Sequence, residues 1–71
     1  MKVLEKKLYE EPTAEEDKKV IMLLSDDSMR SYNVAVIKSR PIMDLTNALY
    51  VFPYMVSEEK ARKAFEKLKL N

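Results

Sequence analysis

The 71-residue chain contains no glycine, no cysteine and no histidine. Without cysteine there is no disulfide, and without histidine as well the chain lacks the usual ligands of zinc. Phosphate-binding loops, dinucleotide-binding turns and the nucleophile elbow of hydrolases need glycine, so these sites are excluded too. Histidine and cysteine also supply the commonest acid–base and nucleophilic groups of enzymes. These absences predict a binding protein rather than an enzyme, with no cofactor and no metal.

The chain also lacks an excess of charge and a long apolar segment. Its net charge of +1 creates no field that would attract nucleic acid. No apolar stretch approaches the roughly 20 residues of a membrane span, and the N-terminal residues do not form a signal-peptide pattern. We therefore expect a cytoplasmic protein without membrane contact. Residues 1–71 make one domain whose small core would gain stability from oligomerisation or from a bound partner.

Two apolar segments in the middle of the chain, VIMLL and VAVI, predict a β-hairpin. The expected arms are residues 18–25 and 31–38, and the loop between them carries Asp26 and Asp27. Both arms are almost wholly apolar, so the hairpin needs cover on both faces. The two aspartates are typical turn formers, because their side chains bond to nearby backbone groups.

The residues before the hairpin predict a strand and an acidic connector. Residues 2–9 have mixed polar and apolar faces, which is typical of an edge strand. Residues 10–17 carry five carboxylates and one proline. Thr13 with Glu16 three residues later matches a capping box, which would start one helical turn. Because no apolar periodicity follows, the pattern favours a solvated connector.

The residues after the hairpin predict a short helix over 41–47 and a strand over 49–56. Pro53 cannot donate to a strand ladder, so this strand should lie at a sheet edge or carry a bulge. Alternate residues of a strand share a face, and three rings would then line one side of this edge. The rings would be anchors for a protein partner or would be covered by the C-terminal helix, and the sequence leaves both interpretations open. These aromatic residues are Tyr50, Phe52 and Tyr54.

Residues 57–70 predict an amphipathic helix. Ser57 is a good N-cap, and Glu58 and Glu59 complement the positive end of the helix dipole. One apolar stripe should pack on the sheet, and it consists of Ala61, Ala64, Phe65 and Leu68. The complete order predicts a small α+β domain in which an antiparallel sheet of three to four strands packs against this helix.

Residues 3–37 contain a strand that ends in tyrosine and acids, an acidic connector, the string MLLSDD, a tyrosine and the string VAVI. In this order the features resemble the middle strands of the phage uracil-DNA glycosylase inhibitors. The resemblance covers about half of the chain. Small dimeric phage inhibitors of the same enzyme also carry an MLL-x-DD string followed by a tyrosine. The resemblance implies a phage-derived inhibitor that binds a host enzyme.

Members of this family imitate DNA, and the resemblance implies the same mechanism here. Carboxylates take the place of phosphates, since both accept from the same donors. An apolar pocket on the inhibitor captures the leucine that the enzyme would insert into DNA. Met22, Leu24 and Val36 match pocket positions, and Asp27 matches a loop carboxylate near the enzyme. The alternative for the three apolar residues is plain core.

The C-terminal part of the chain loosely resembles a strand and helix start that the larger inhibitors carry before these strands, as if the order were permuted. Glu58 and Glu59 would then replace acids that meet the enzyme, although helix-start acids also explain them. Mimicry by a chain of balanced charge requires its acids on one face. These would be residues 10–17 with Asp26, Asp27, Glu58 and Glu59, while Lys60, Arg62, Lys63, Lys67 and Lys69 turn away.

The sequence thus predicts an inhibitor of a DNA-acting enzyme, with uracil-DNA glycosylase as the expected partner and no direct contact with nucleic acid. One alternative is a homodimeric interaction or regulatory module whose edge strand pairs across a two-fold axis. The other is a weak binder of single-stranded nucleic acid that stacks bases on the aromatic residues.

Overall fold

The computed structural model describes residues 1–40, 43 and 45–69. Four strands form one antiparallel sheet in the order β1-β2-β3-β4, and a C-terminal helix packs against it. This arrangement confirms the predicted small α+β fold. The elements are β1 (Lys2–Glu10), β2 (Lys19–Ser25), β3 (Tyr32–Lys38), a 3₁₀ turn (Leu45–Asn47), β4 (Ala48–Val51) and α1 (Glu58–Lys67).

The predicted hairpin forms the centre of the sheet. Strands β2 and β3 pair without a register shift from Lys19 opposite Lys38 to Ser25 opposite Tyr32. Alternation along β2 sends Ile21 towards the helix and Met22 to the other face. Both arms are buried nearly throughout, which confirms that the hairpin is covered on both faces.

Each face of the sheet has its own core. The helix-side core contains the buried residues Ile21, Leu23, Tyr32, Val34, Val36, Ala61 and Phe65. The core on the opposite face contains Val20, Met22, Leu24, Ala35 and Ile37, and it is covered in part by Met43, Leu45 and Ala48.

Helix α1 begins after Ser57, as predicted. The Ser57 hydroxyl accepts a hydrogen bond from the Lys60 backbone N–H. The buried residues of the helix, Ala61 and Phe65, face the sheet. The helix ends at Lys67 because Leu68 adopts an extended conformation, and residue 70, the predicted end, lies outside the described residues. In the described part of the chain no helix is long and apolar enough to cross a membrane.

Residues 11–17 contain no helix, in agreement with the favoured prediction of a connector. The Thr13 hydroxyl accepts from the backbone N–H groups of Glu15 and Glu16, as in a capping box, but the chain does not continue as a helix. The Lys19 ammonium holds the connector against the sheet through ion pairs with Glu10 and Glu16.

The prediction for residues 41–56 is wrong in detail. Residues 41, 42 and 44 lie outside the described residues, and the rest of the expected helix contains only the 3₁₀ turn. Strand β4 ends at Val51, well short of residue 56. The reason is Pro53, which interrupts the ladder between the Phe52 N–H bond to Val34 and a separate bridge of Met55 with Tyr32. The predicted edge position of this strand is confirmed.

Candidate protein-binding site

An apolar groove of about 350 Å³ opens on the helix side of the sheet. It lies where the end of α1 passes the first and last strands, and we call it the groove. Its walls are Tyr9, Val36, Leu49, Tyr50, Phe52 and Leu68, together with Glu10 and Lys19. Concave apolar sites with few polar groups are typical places for a partner's side chain or a ligand.

Two of the predicted aromatic residues shape one wall of the groove. The rings of Tyr50 and Phe52 meet edge to face, with centroids 5.0 Å apart and planes at 87°. Tyr50 reaches the helix side because it pairs with Val36, whose side chain belongs to the helix-side core. Tyr50 and Leu49 are exposed, so this wall is open to an approaching molecule.

The third aromatic residue does not belong to the groove. Tyr54 follows Pro53, outside the regular strand, and is 68% exposed. Of the three aromatic residues expected on one face, Tyr50 and Phe52 line the groove and Tyr54 does not.

The charged pair in the groove is locally neutralised. Lys19 donates to the carboxylates of Glu10 and Glu16, and these bonds raise the pKa of the Lys19 ammonium, with Glu10 contributing most. The lysine therefore offers no free cation to a phosphate backbone. The lining of the groove therefore suits an apolar group better than an anion.

The three residues that matched pocket positions do not lie together. Val36 lines the groove, but Met22 and Leu24 face the other side of the sheet and are 2% and 3% exposed. The register explains this separation, since Met22 pairs with Ala35 while Val36 pairs with Ile21. Met22 and Leu24 are core residues, and the single pocket expected for all three is wrong.

The two loop aspartates have different surroundings. Asp26 Oδ1 accepts from the backbone N–H of Arg30 at 2.7 Å and from that of Ser31 at 3.3 Å. The Arg30 N–H is the main reason why the pKa of Asp26 lies below its ordinary value. Asp26 therefore forms the turn. The Asp27 carboxylate is 86% exposed and pairs with the amino group of Met1 at 3.0 Å.

The helix-start acids are paired with cations of the same helix. Glu58 accepts from Arg62 at 2.9 Å and from the Tyr32 hydroxyl at 3.3 Å, and the arginine is the main reason why its pKa is lowered. Glu59 lies 3.4 Å from the Lys63 ammonium. The acids of the first turn of α1 are therefore paired with cations one turn later.

The acids that mimicry by charge requires on one face are spread over both ends of β2, and several of them are paired with cations. The connector lies at the Lys19 end of β2, and the Asp26–Asp27 loop follows Ser25 at the other end, about 20 Å away along the strand. The expectation that Arg62 and Lys63 turn away from the acids is wrong, because both form ion pairs with them.

The groove also contains residues that were not predicted as site residues. Leu49 could have been identified from the sequence, since it lies beside Tyr50 in the uncharged stretch 45–57. No sequence pattern placed Tyr9 and Leu68 in the site, because their place in the groove depends on how β1 and the end of α1 meet.

No protein-family model, curated protein or solved structure matches this chain. Among the described residues no group of acidic side chains is arranged to hold a metal ion. The geometry of the groove and of the exposed carboxylates is therefore the basis for a functional assignment.

Proposed function

We propose that the chain is a protein inhibitor that binds a DNA-acting enzyme, with uracil-DNA glycosylase as the first candidate. The observation that supports this function is the groove, in which Val36, Tyr50 and Phe52 come together. All three are residues that the sequence suggested for a protein interface. Exposed aromatic residues around a concave apolar site are typical centres of binding energy at such interfaces.

The groove supplies the anchor in this proposal. An aliphatic side chain of the enzyme would enter it and leave water, which stabilises a complex by about 1.5–3 kcal/mol for a leucine-sized group. The edge-to-face pair of Tyr50 and Phe52 forms one wall of the site. The partner's side chain would thus be held by burial rather than by charge.

Carboxylates contribute locally in this proposal. Asp27 is the exposed loop carboxylate, and a carboxylate pairs with the donors that otherwise bind a phosphate. Because several of the other acids form ion pairs with cations, the total electrostatic attraction is small. We therefore expect inhibition that persists at moderate salt, where exposed charges more than about 8–10 Å apart are screened.

A uracil-excision assay with a bacterial uracil-DNA glycosylase and rising amounts of the purified protein tests the proposal. We expect activity to fall in proportion to the inhibitor until one binding equivalent is reached. Tyr50→Lys should abolish the effect, and Tyr54→Lys is the matched control because Tyr54 is exposed outside the groove. Full enzyme activity in large excess of the wild-type protein would refute the proposal.

The same assay separates the nucleic-acid alternative from the inhibitor. A protein that binds single-stranded DNA would protect the substrate rather than the enzyme, so generic single-stranded DNA would reverse its effect. Such binding would also weaken by orders of magnitude with salt. An inhibitor of the enzyme resists both treatments.

A further inference from the structure

The two edges of the sheet differ in charge. Strand β1 forms one edge and carries five charged side chains, Lys2, Glu5, Lys6, Lys7 and Glu10. Strand β4 forms the other edge, and the nine residues 48–56 carry no charge at all. Charges on an edge strand make its pairing with another sheet unfavourable. Only the β4 edge lacks this protection.

The uncharged edge is also apolar and exposed. Three consecutive side chains of β4 are among the large hydrophobic groups that remain in contact with solvent: Leu49, Tyr50 and Val51. The Phe52 N–H donates inwards to the Val34 carbonyl at 2.9 Å. Because backbone groups alternate along a strand, the Val51 N–H points to the open edge. The edge therefore offers both apolar side chains and an outward backbone donor.

We propose that β4 pairs antiparallel with β4 of a second copy of this chain. Pairing β1 with β1 of another copy would bring lysines together in one ladder. Pairing β1 with β4 would place charged side chains beside apolar ones and would leave free edges that extend into a filament. Pairing β4 with β4 closes after two copies and brings no charged strand into the contact. The chemistry of the two edges therefore favours a second copy as the occupant.

The proposed pair is centred on Tyr50, away from Pro53. A two-fold axis at Tyr50 places the Tyr50 residues of the two copies opposite each other, on the regular side of the register shift at Leu49, and leaves the outward Val51 N–H free to pair with the second copy. Pro53, which has no N–H, then stays outside the central paired residues. The Tyr50 side chains of the two copies meet on the helix side, where each borders its own groove. This inference does not depend on the proposed inhibitor function.

Disulfide cross-linking can test this pairing without interference, because the chain has no cysteine of its own. Opposite residues in a non-hydrogen-bonded antiparallel pair have Cα atoms about 4.5 Å apart, which a disulfide can span. Under mild oxidation Tyr50→Cys should become a covalent dimer almost completely. Val3→Cys is the control, because Val3 is 51% exposed on the charged edge β1 and should cross-link little.

Sedimentation of the unmodified protein provides an independent measurement. We expect twice the mass of one chain for the wild type and for Val3→Lys, and the mass of one chain for Val51→Lys. Circular dichroism checks that each variant is folded. A wild-type protein that stays monomeric at its highest soluble concentration would overturn the proposal, as would Tyr50→Cys that cross-links no faster than Val3→Cys. Neither measurement uses the glycosylase, so the result is separate from that of the inhibition assay.

Discussion

Arg62 Nη1 lies 2.6 Å from Glu5 Oε1, an ion pair between residues 57 positions apart that joins helix α1 to the edge strand β1. The same guanidinium also bonds to Glu58 within the helix. Arg62→Met should therefore lower the urea midpoint of unfolding. Lys63→Met removes the same charge but breaks only an ion pair within the helix. It should therefore lower the urea midpoint less. Equal midpoints for the two variants would show that the link between helix and strand adds no stability.

Glu58 should make stability depend on pH in the acidic range. Its pKa lies below the ordinary value of 4.5 because Arg62 donates to it in the folded state. The unfolded chain binds the proton more readily, so this contribution is complete above the ordinary pKa and is lost as pH falls through the folded pKa. The free energy of unfolding, measured by urea titration at several acidic pH values, should fall less steeply for Glu58→Gln. An unchanged slope would contradict the assignment.

The hairpin and the helix could be predicted because each carries a repeated pattern. The apolar arms of β2 and β3 and the stripe of α1 are visible in the sequence, as is the N-cap Ser57. The residue at which β4 ends could not be predicted, because it depends on how the residues before Pro53 pair with β3.

The candidate site was predicted only in part, for a similar reason. Whether Met22 or Val36 faces the groove depends on the sheet face that the helix covers, and this is decided by packing over long sequence distances. The aromatic residues of β4 were visible in the sequence, but their partners Tyr9 and Leu68 come from the opposite ends of the chain.

At position 29 glycine should be more stable than alanine. The φ of Met29 is 60°, in the left-handed region where a Cβ atom is unfavourable, and the chain has no glycine to use in this turn. Met29→Gly should raise the free energy of unfolding by about 1 kcal/mol relative to Met29→Ala, as measured by urea titration. Both variants lose the contact of the Met29 sulfur with the Ser25 hydroxyl, so their difference isolates the backbone effect. A less stable glycine variant would contradict it.

Substitution of Leu24 should affect stability, and substitution of Leu49 should affect binding. Leu24 is buried in the core opposite the helix, so Leu24→Ala should cost about 2–5 kcal/mol in the free energy of unfolding. Leu49 is exposed in the groove, so Leu49→Ala should change that free energy by no more than about 0.5 kcal/mol. The inhibition constant should respond in the opposite order. Leu49→Ala weakens inhibition because the groove loses a wall, whereas Leu24→Ala inhibits normally under conditions in which it is folded. Loss of inhibition by folded Leu24→Ala, with Leu49→Ala fully active, would move the binding site to the other face of the sheet.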